Sequence, residues 1–123
     1  MPIVNTEIYV PTNATQGMLG LARRAGKVCP GTAPTLNAVR SFKKPALVLI
    51  DEEASEATKS KLWGVCFAHK VPYLTLRAEG MLGKAIGAKT EIYALGILDV
   101  GLADRIRLTC ELSLPSPNEG DEK

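Results

Sequence analysis

Three observations predict an α/β fold with helices on both faces of one sheet. Apolar runs of strand length recur at Ala46-Leu-Val-Leu-Ile50, Val71-Pro-Tyr-Leu-Thr-Leu76 and Ile92 to Leu98. Segments with helical periodicity lie between them, and Gly, Pro, Asp, Ser and Thr punctuate the junctions. Strands that alternate with helices bury both sheet faces under helices. With 123 residues, 46% of them hydrophobic and 23% charged, the chain suffices for one domain burying roughly two thirds of its unfolded surface.

The elements follow in order. Residues 1–12 read as an extended segment, in which Ile3 to Val10 can add an edge strand to this molecule or to a partner. Asn13 or Thr15 is expected to cap a helix through Met18, Leu19, Leu21, Ala22 and Ala25, with Gly26 as its stop. Lys27-Val28-Cys29 is extended up to Pro30. Thr32 is a suitable N-cap for the next helix, and Pro34 falls in its first turn, where proline is tolerated. Leu36, Val39 and Phe42 recur at helical spacing and are expected to face the core. Ala33, Asn37, Arg40 and Lys44 would share the opposite stripe.

Pro45 ends that helix, and the 46–50 strand is bounded by Asp51. A helix is expected from about Ser55 to His69, a strand over Val71–Leu76, and a short helix over Glu79–Ile86 closed by Gly87. The strand Ile92–Leu98 and a last helix, Leu102 to Leu112, complete a single domain over residues 13–112. The Pro-, Gly- and acid-rich residues 113–123 cannot bury an apolar face and are expected to be disordered.

Charge is one-sided. The net charge is only +2, yet no acid stands between Glu7 and Asp51, where Arg23, Arg24, Lys27, Arg40, Lys43 and Lys44 all fall. In the sequence these bases flank the Pro30-Gly31-Thr32 turn, and such a surface suits phosphate. Gly31 lets the backbone approach a partner closely, and the amides opening the helix beyond it suit a phosphate or a base edge.

Catalysis has little to stand on. His69 is the lone histidine, placed where it complements a helix C-terminus. The Gly26-Lys27 and Gly83-Lys84 pairs miss phosphate-loop spacing, and no Ser, Cys or Thr sits in a nucleophile elbow. Asp51-Glu52-Glu53 reads as acids favouring the next helix N-terminus. Cys29, Cys66 and Cys110 are odd in number and widely spaced, which argues against disulfides or a zinc site and fits a reducing cytoplasm. No cofactor, metal or membrane segment is expected.

Gly20-Leu-Ala-Arg-Arg-Ala-Gly-Lys-Val28, the Gly31-Thr32 turn, Ala46 through Ser55, Val71-Pro-Tyr73 and Leu82-Gly-Lys-Ala-Ile-Gly87 follow one another in order. Together they closely resemble the ribosomal "L-seven-Ae" family of kink-turn RNA-binding proteins, its small bacterial members above all, over roughly Gln16 to Leu108. The resemblance implies a three-layer α/β/α sandwich with a mixed sheet of about four strands. It also implies non-catalytic binding of structured RNA, kink-turn-like or ribosomal, as a ribosomal-protein-like module in the cytoplasm. Gly31 and Thr32 match the family's RNA-binding turn. Ala33 and Pro34 stand where archaeal members have Asn and Glu, and Asn37 where they have a basic residue. The second family contact maps to Ala88-Lys-Thr-Glu-Ile92, whose Ile92 would lie on an extruded nucleotide. Lys27, Arg40, Lys44 and Lys89 would hold phosphate, and Asn37 a base.

Trp63 and Phe67, four residues apart on the Ser55–His69 helix, are expected to be partly exposed. They are either a broadened core stripe or an apolar surface for a homo-oligomer or protein partner. An interaction scaffold with a degraded RNA site is therefore the alternative reading.

Overall fold

The computed structural model describes residues 7–112. Their order is β1 (Ile8–Val10), α1 (Asn13–Arg24), β2 (Val28–Pro30), α2 (Thr32–Val39), β3 (Leu47–Asp51), α3 (Glu56–Ala68), β4 (Tyr73–Leu76), α4 (Met81–Ala85), β5 (Ala94–Ile97), α5 (Val100–Thr109) and β6 (Glu111–Leu112). One mixed sheet runs β2-β5-β3-β4-β1-β6. β3 pairs parallel with β4, and β4 with β1, while the β2/β5, β5/β3 and β1/β6 pairs are antiparallel.

Alternation along β3 explains the three layers. Leu47 and Leu49 join a core with Leu19 of α1, Leu82 of α4 and Ile106 of α5. Val48 and Ile50 point the other way, into a second core with Leu36 and Val39 of α2 and Leu62 and Cys66 of α3. Successive strand side chains face opposite sides, so a strand covered on both must read as an unbroken apolar run.

The ends of α1 and α2 depart from expectation at three places. Thr12, rather than Asn13 or Thr15, caps α1, and Thr15 closes the capping box by accepting from the Thr12 amide at 2.9 Å. Thr32 is the first helical residue of α2, not its cap; Gly31 takes that position without a side-chain bond. α2 also stops at Val39, so Phe42 never reaches the core and is fully exposed. The Lys44 ammonium donates to the Val39 and Ser41 carbonyls at 2.9 Å each, and so leaves the expected stripe to close the end of this helix.

β1 and β6, at the two ends of the described residues, raise the strand count there to six. β1 lies between β4 and β6 instead of forming an edge. The last helix begins earlier than expected, at Val100, where the Asp99 carboxylate accepts from the Leu102 amide at 2.9 Å. It ends at Thr109 because Cys110 turns extended and 111–112 pair with β1. The acidic tail, and the part of the N-terminal segment before Glu7, lie outside the described residues.

Candidate functional site

Pairing register divides the loops between two ends of the sheet. Pro30 sits beside Leu95 and Ile50 beside Ala94, so the Gly31 turn, the segment after Asp51 and the loop entering β5 share one end. Val28 and Leu47 both sit beside Ile97, so Lys27, the 40–46 segment and Leu98 share the other.

At the first end Gly31 takes φ 103° and ψ 152°, a conformation reserved for glycine. Its amide donates to the Ala94 carbonyl at 2.8 Å, and its carbonyl accepts from the Thr35 amide at 3.0 Å. Of the four amides at this helix start, that leaves Thr32 and Ala33, because Pro34 has no N–H. No side chain caps them. They open on the helix axis, where the peptide dipoles favour an anion.

The neighbouring loop, 88–92, is pinned. The Ala88 amide donates to the Gly83 carbonyl at 2.9 Å, and a Cβ at Gly83 would stand only 3.2 Å from the Thr90 carbonyl oxygen. Glycine at 83 therefore lets α4 hold this loop against β5. Lys84, Ala88, Lys89 and Thr90 line a cleft of about 350 Å³ with Glu79 and Glu91. Lys89 is exposed and Ile92 half-buried.

This end also carries acids. Asp51 is 1% exposed and accepts from the Glu53 amide at 2.9 Å. Burial chiefly raises its pKa, while hydrogen bonds from the Glu53 and Gly80 amides pull it back. The Tyr93 hydroxyl donates to the Glu91 carboxylate, which pushes that phenol above its ordinary range. Two bases here are already engaged: Arg77 with Glu52 at 3.1 Å and Lys59 with Glu56 at 3.2 Å.

The structure places Gly31, Thr32, Lys89 and Ile92 at one end of the sheet, the turn on the α2 side and Ile92 packed on the α4 side. It does not bring the remaining bases to them. Lys27 precedes β2, four residues and about 13 Å of strand from Gly31. Arg40 and Lys44 follow α2, about 12 Å along its axis from Thr32. Asn37 is exposed on the middle of that helix. Bases close in sequence are thus carried to the opposite end by one strand and one helix.

The aromatic pair on α3 also separates. Trp63 is half-buried beside the second core, and its indole donates to the Thr75 hydroxyl at 2.9 Å. Lys59 lies 5.9 Å from its ring centre. Those contacts give the indole a structural role, and only Phe67 of the two is exposed. Cys66 is buried, which pushes its thiol up to about 12 and leaves it unreactive. Sequence reasoning missed the Lys84–Thr90 cleft and the buried Asp51; a glycine inside the short helix, Gly83, was the available signal for the first.

A family model described as "Ribosomal protein L7Ae/L30e/S12e/Gadd45 family" matches residues 13–106. The RNA-binding protein YlxQ of Bacillus subtilis (strain 168) is 34% identical over 89 residues, covering 72% of this chain and 87% of that protein. YlxQ of Enterococcus faecium is 32% identical over 90 residues, covering 73% and 84%. A solved Bacillus halodurans protein of unknown function superposes with a TM-score of 0.71 at 29% identity, covering 77% of this chain and 94% of its own. The Giardia lamblia 15.5kD RNA binding protein shares the fold, with a TM-score of 0.65 at 18% identity over 79% and 85% of the two chains.

Proposed function

This chain belongs to the ribosomal protein L7Ae/L30e/S12e/Gadd45 family, and from that premise we propose that it binds structured RNA without catalysis. The contact is the sheet end formed by the Gly31 turn and the 88–92 loop. One observation carries the reading: two uncapped amides, of Thr32 and Ala33, open at the same sheet end as a loop that Gly83 holds in place. The amides receive a phosphate or a base edge. Lys89 adds a phosphate contact, and Ile92 supports a nucleotide turned out of the stack. YlxQ, the relative described as RNA-binding, supports the same class of partner.

The RNA is a kink-turn-like element of ribosomal or other structured RNA, met in the cytoplasm. Ala33 and Pro34 cannot make the base-edge hydrogen bonds that Asn and Glu would supply, and each lost pair weakens discrimination by about 1–3 kcal/mol. Recognition here therefore leans on backbone and phosphate, with reduced selectivity for the kink. A gel shift comparing a kink-turn RNA with a straight duplex tests this. The kink-turn should bind more tightly, and Lys89→Glu should weaken it while flattening the salt slope by about 0.7–0.9. Equal affinity for both RNAs, or a Lys89→Glu variant indistinguishable from wild type, would refute the assignment. Ala33→Asn with Pro34→Glu should widen the preference for the kink-turn by roughly tenfold or more.

A further inference from the structure

At the end opposite the Gly31 turn, the 40–44 loop presents Phe42 fully exposed. A ring bare to water in a folded chain forgoes the burial that aromatic side chains normally gain. Its surroundings are cationic. Arg40 and Lys44 line a cleft of about 300 Å³ with Ser41 and Phe42, and Lys43 stands exposed beside them. Lys27, just before β2, lies at the same end. Among the described residues Asp99 enters this end between β5 and α5, and its carboxylate caps α5.

The loop is also held. The Ser41 amide and hydroxyl both donate to the Ala38 carbonyl, at 3.1 and 2.7 Å, and the Lys44 ammonium ties Val39 to Ser41. An exposed aromatic on a braced loop among cations suits an unpaired base, which stacks on the ring while its phosphates meet the charges. Charge complementarity favours this occupant over a neutral protein surface, because the exposed ring is flanked by three exposed cations, Arg40, Lys43 and Lys44, which an anionic chain neutralises.

We propose that the 40–44 loop is a second RNA contact, where one single-stranded base stacks on Phe42 and Arg40 and Lys43 hold the adjoining phosphates. It rests on the RNA-binding reading above but uses the opposite end of the molecule. It also assigns a role to the bases that the fold carries away from the Gly31 turn.

Fluorescence anisotropy of labelled octauridylate with the full chain at low salt tests it, beside a kink-turn RNA lacking single-stranded extensions. Phe42→Ala should weaken octauridylate binding roughly tenfold, within the range that base–aromatic stacking spans, and Phe42→Trp should retain it. Kink-turn affinity should stay within about twofold in Phe42→Ala, as distant sites behave independently. Octauridylate bound equally by wild type and Phe42→Ala overturns the stacking site. Kink-turn binding without octauridylate binding overturns this inference alone, and failure to bind either RNA overturns both readings. Phe42-dependent binding to phosphatidylglycerol vesicles or to polyglutamate, with no octauridylate binding, overturns it in favour of a membrane or an acidic protein.

Discussion

Asp51 ends the central strand with its carboxyl out of solvent, and burial raises its pKa. The folded chain thus holds that proton more tightly than the unfolded chain does. Its contribution to stability is complete below the ordinary carboxylate pKa of about 3.9 and is lost as pH rises through the higher folded value. Asp51→Asn cannot ionise and keeps an oxygen for the Glu53 amide. Urea midpoints from pH 3 to 7 should therefore show wild type losing ground to this variant as pH rises; a constant difference would mean that the two amide bonds govern instead. Trp63→Phe makes a second test. It removes the indole donor from Thr75, which is 1% exposed, and should cost about 1–3 kcal/mol in urea denaturation. A neutral result would return Trp63 to the surface role considered from sequence. Neither environment is legible in the chain, since helical spacing shows which face a residue takes but not how deep the neighbouring strand places its partner.

The elements whose apolar pattern matches their burial are the ones the sequence discloses. β3 reads as a continuous apolar run because α1 and α5 cover one face and α2 and α3 the other. The Gly31 turn is equally legible, from its proline, glycine and threonine. Gly31→Ala forces a side chain into a glycine-only conformation, with its Cβ 3.3 Å from Pro34 Cδ. It should destabilise the chain by about 1–3 kcal/mol in urea titrations and weaken kink-turn RNA binding. An unchanged midpoint would show that the turn relaxes freely. The α2 terminus was not legible. Extrapolating its period past Val39 put Phe42 inside, whereas the Lys44 ammonium satisfies the last carbonyls and ends the helix first. β1 falls within the strand expected over Ile3 to Val10, but its place inside the sheet and the two-residue β6 were not legible, because so short a strand exists through the partner it pairs with rather than through its own pattern.

For the whole molecule, the sheet separates what the sequence keeps close. Lys27 and Gly31 are four positions apart, yet β2 stands between them, and α2 then returns Arg40 to the Lys27 end. Lys27, Arg40, Lys43 and Lys44 therefore mark the end opposite the family's turn, a division no linear count of bases can convey. Pairing of β1 with β6 has its own effect, since Tyr9 lies opposite Leu112 and the domain's first and last strands are one inter-strand spacing apart, about 4.8 Å. A circular permutant that links residue 112 to residue 7 through a short Gly-Ser bridge, and opens at the exposed 41–43 segment, should keep the native far-ultraviolet dichroism and cooperative melting. In the natural order, the opening strand gains its outer neighbour only when the closing one has left the ribosome, so this seam is the last part of the sheet that synthesis can complete.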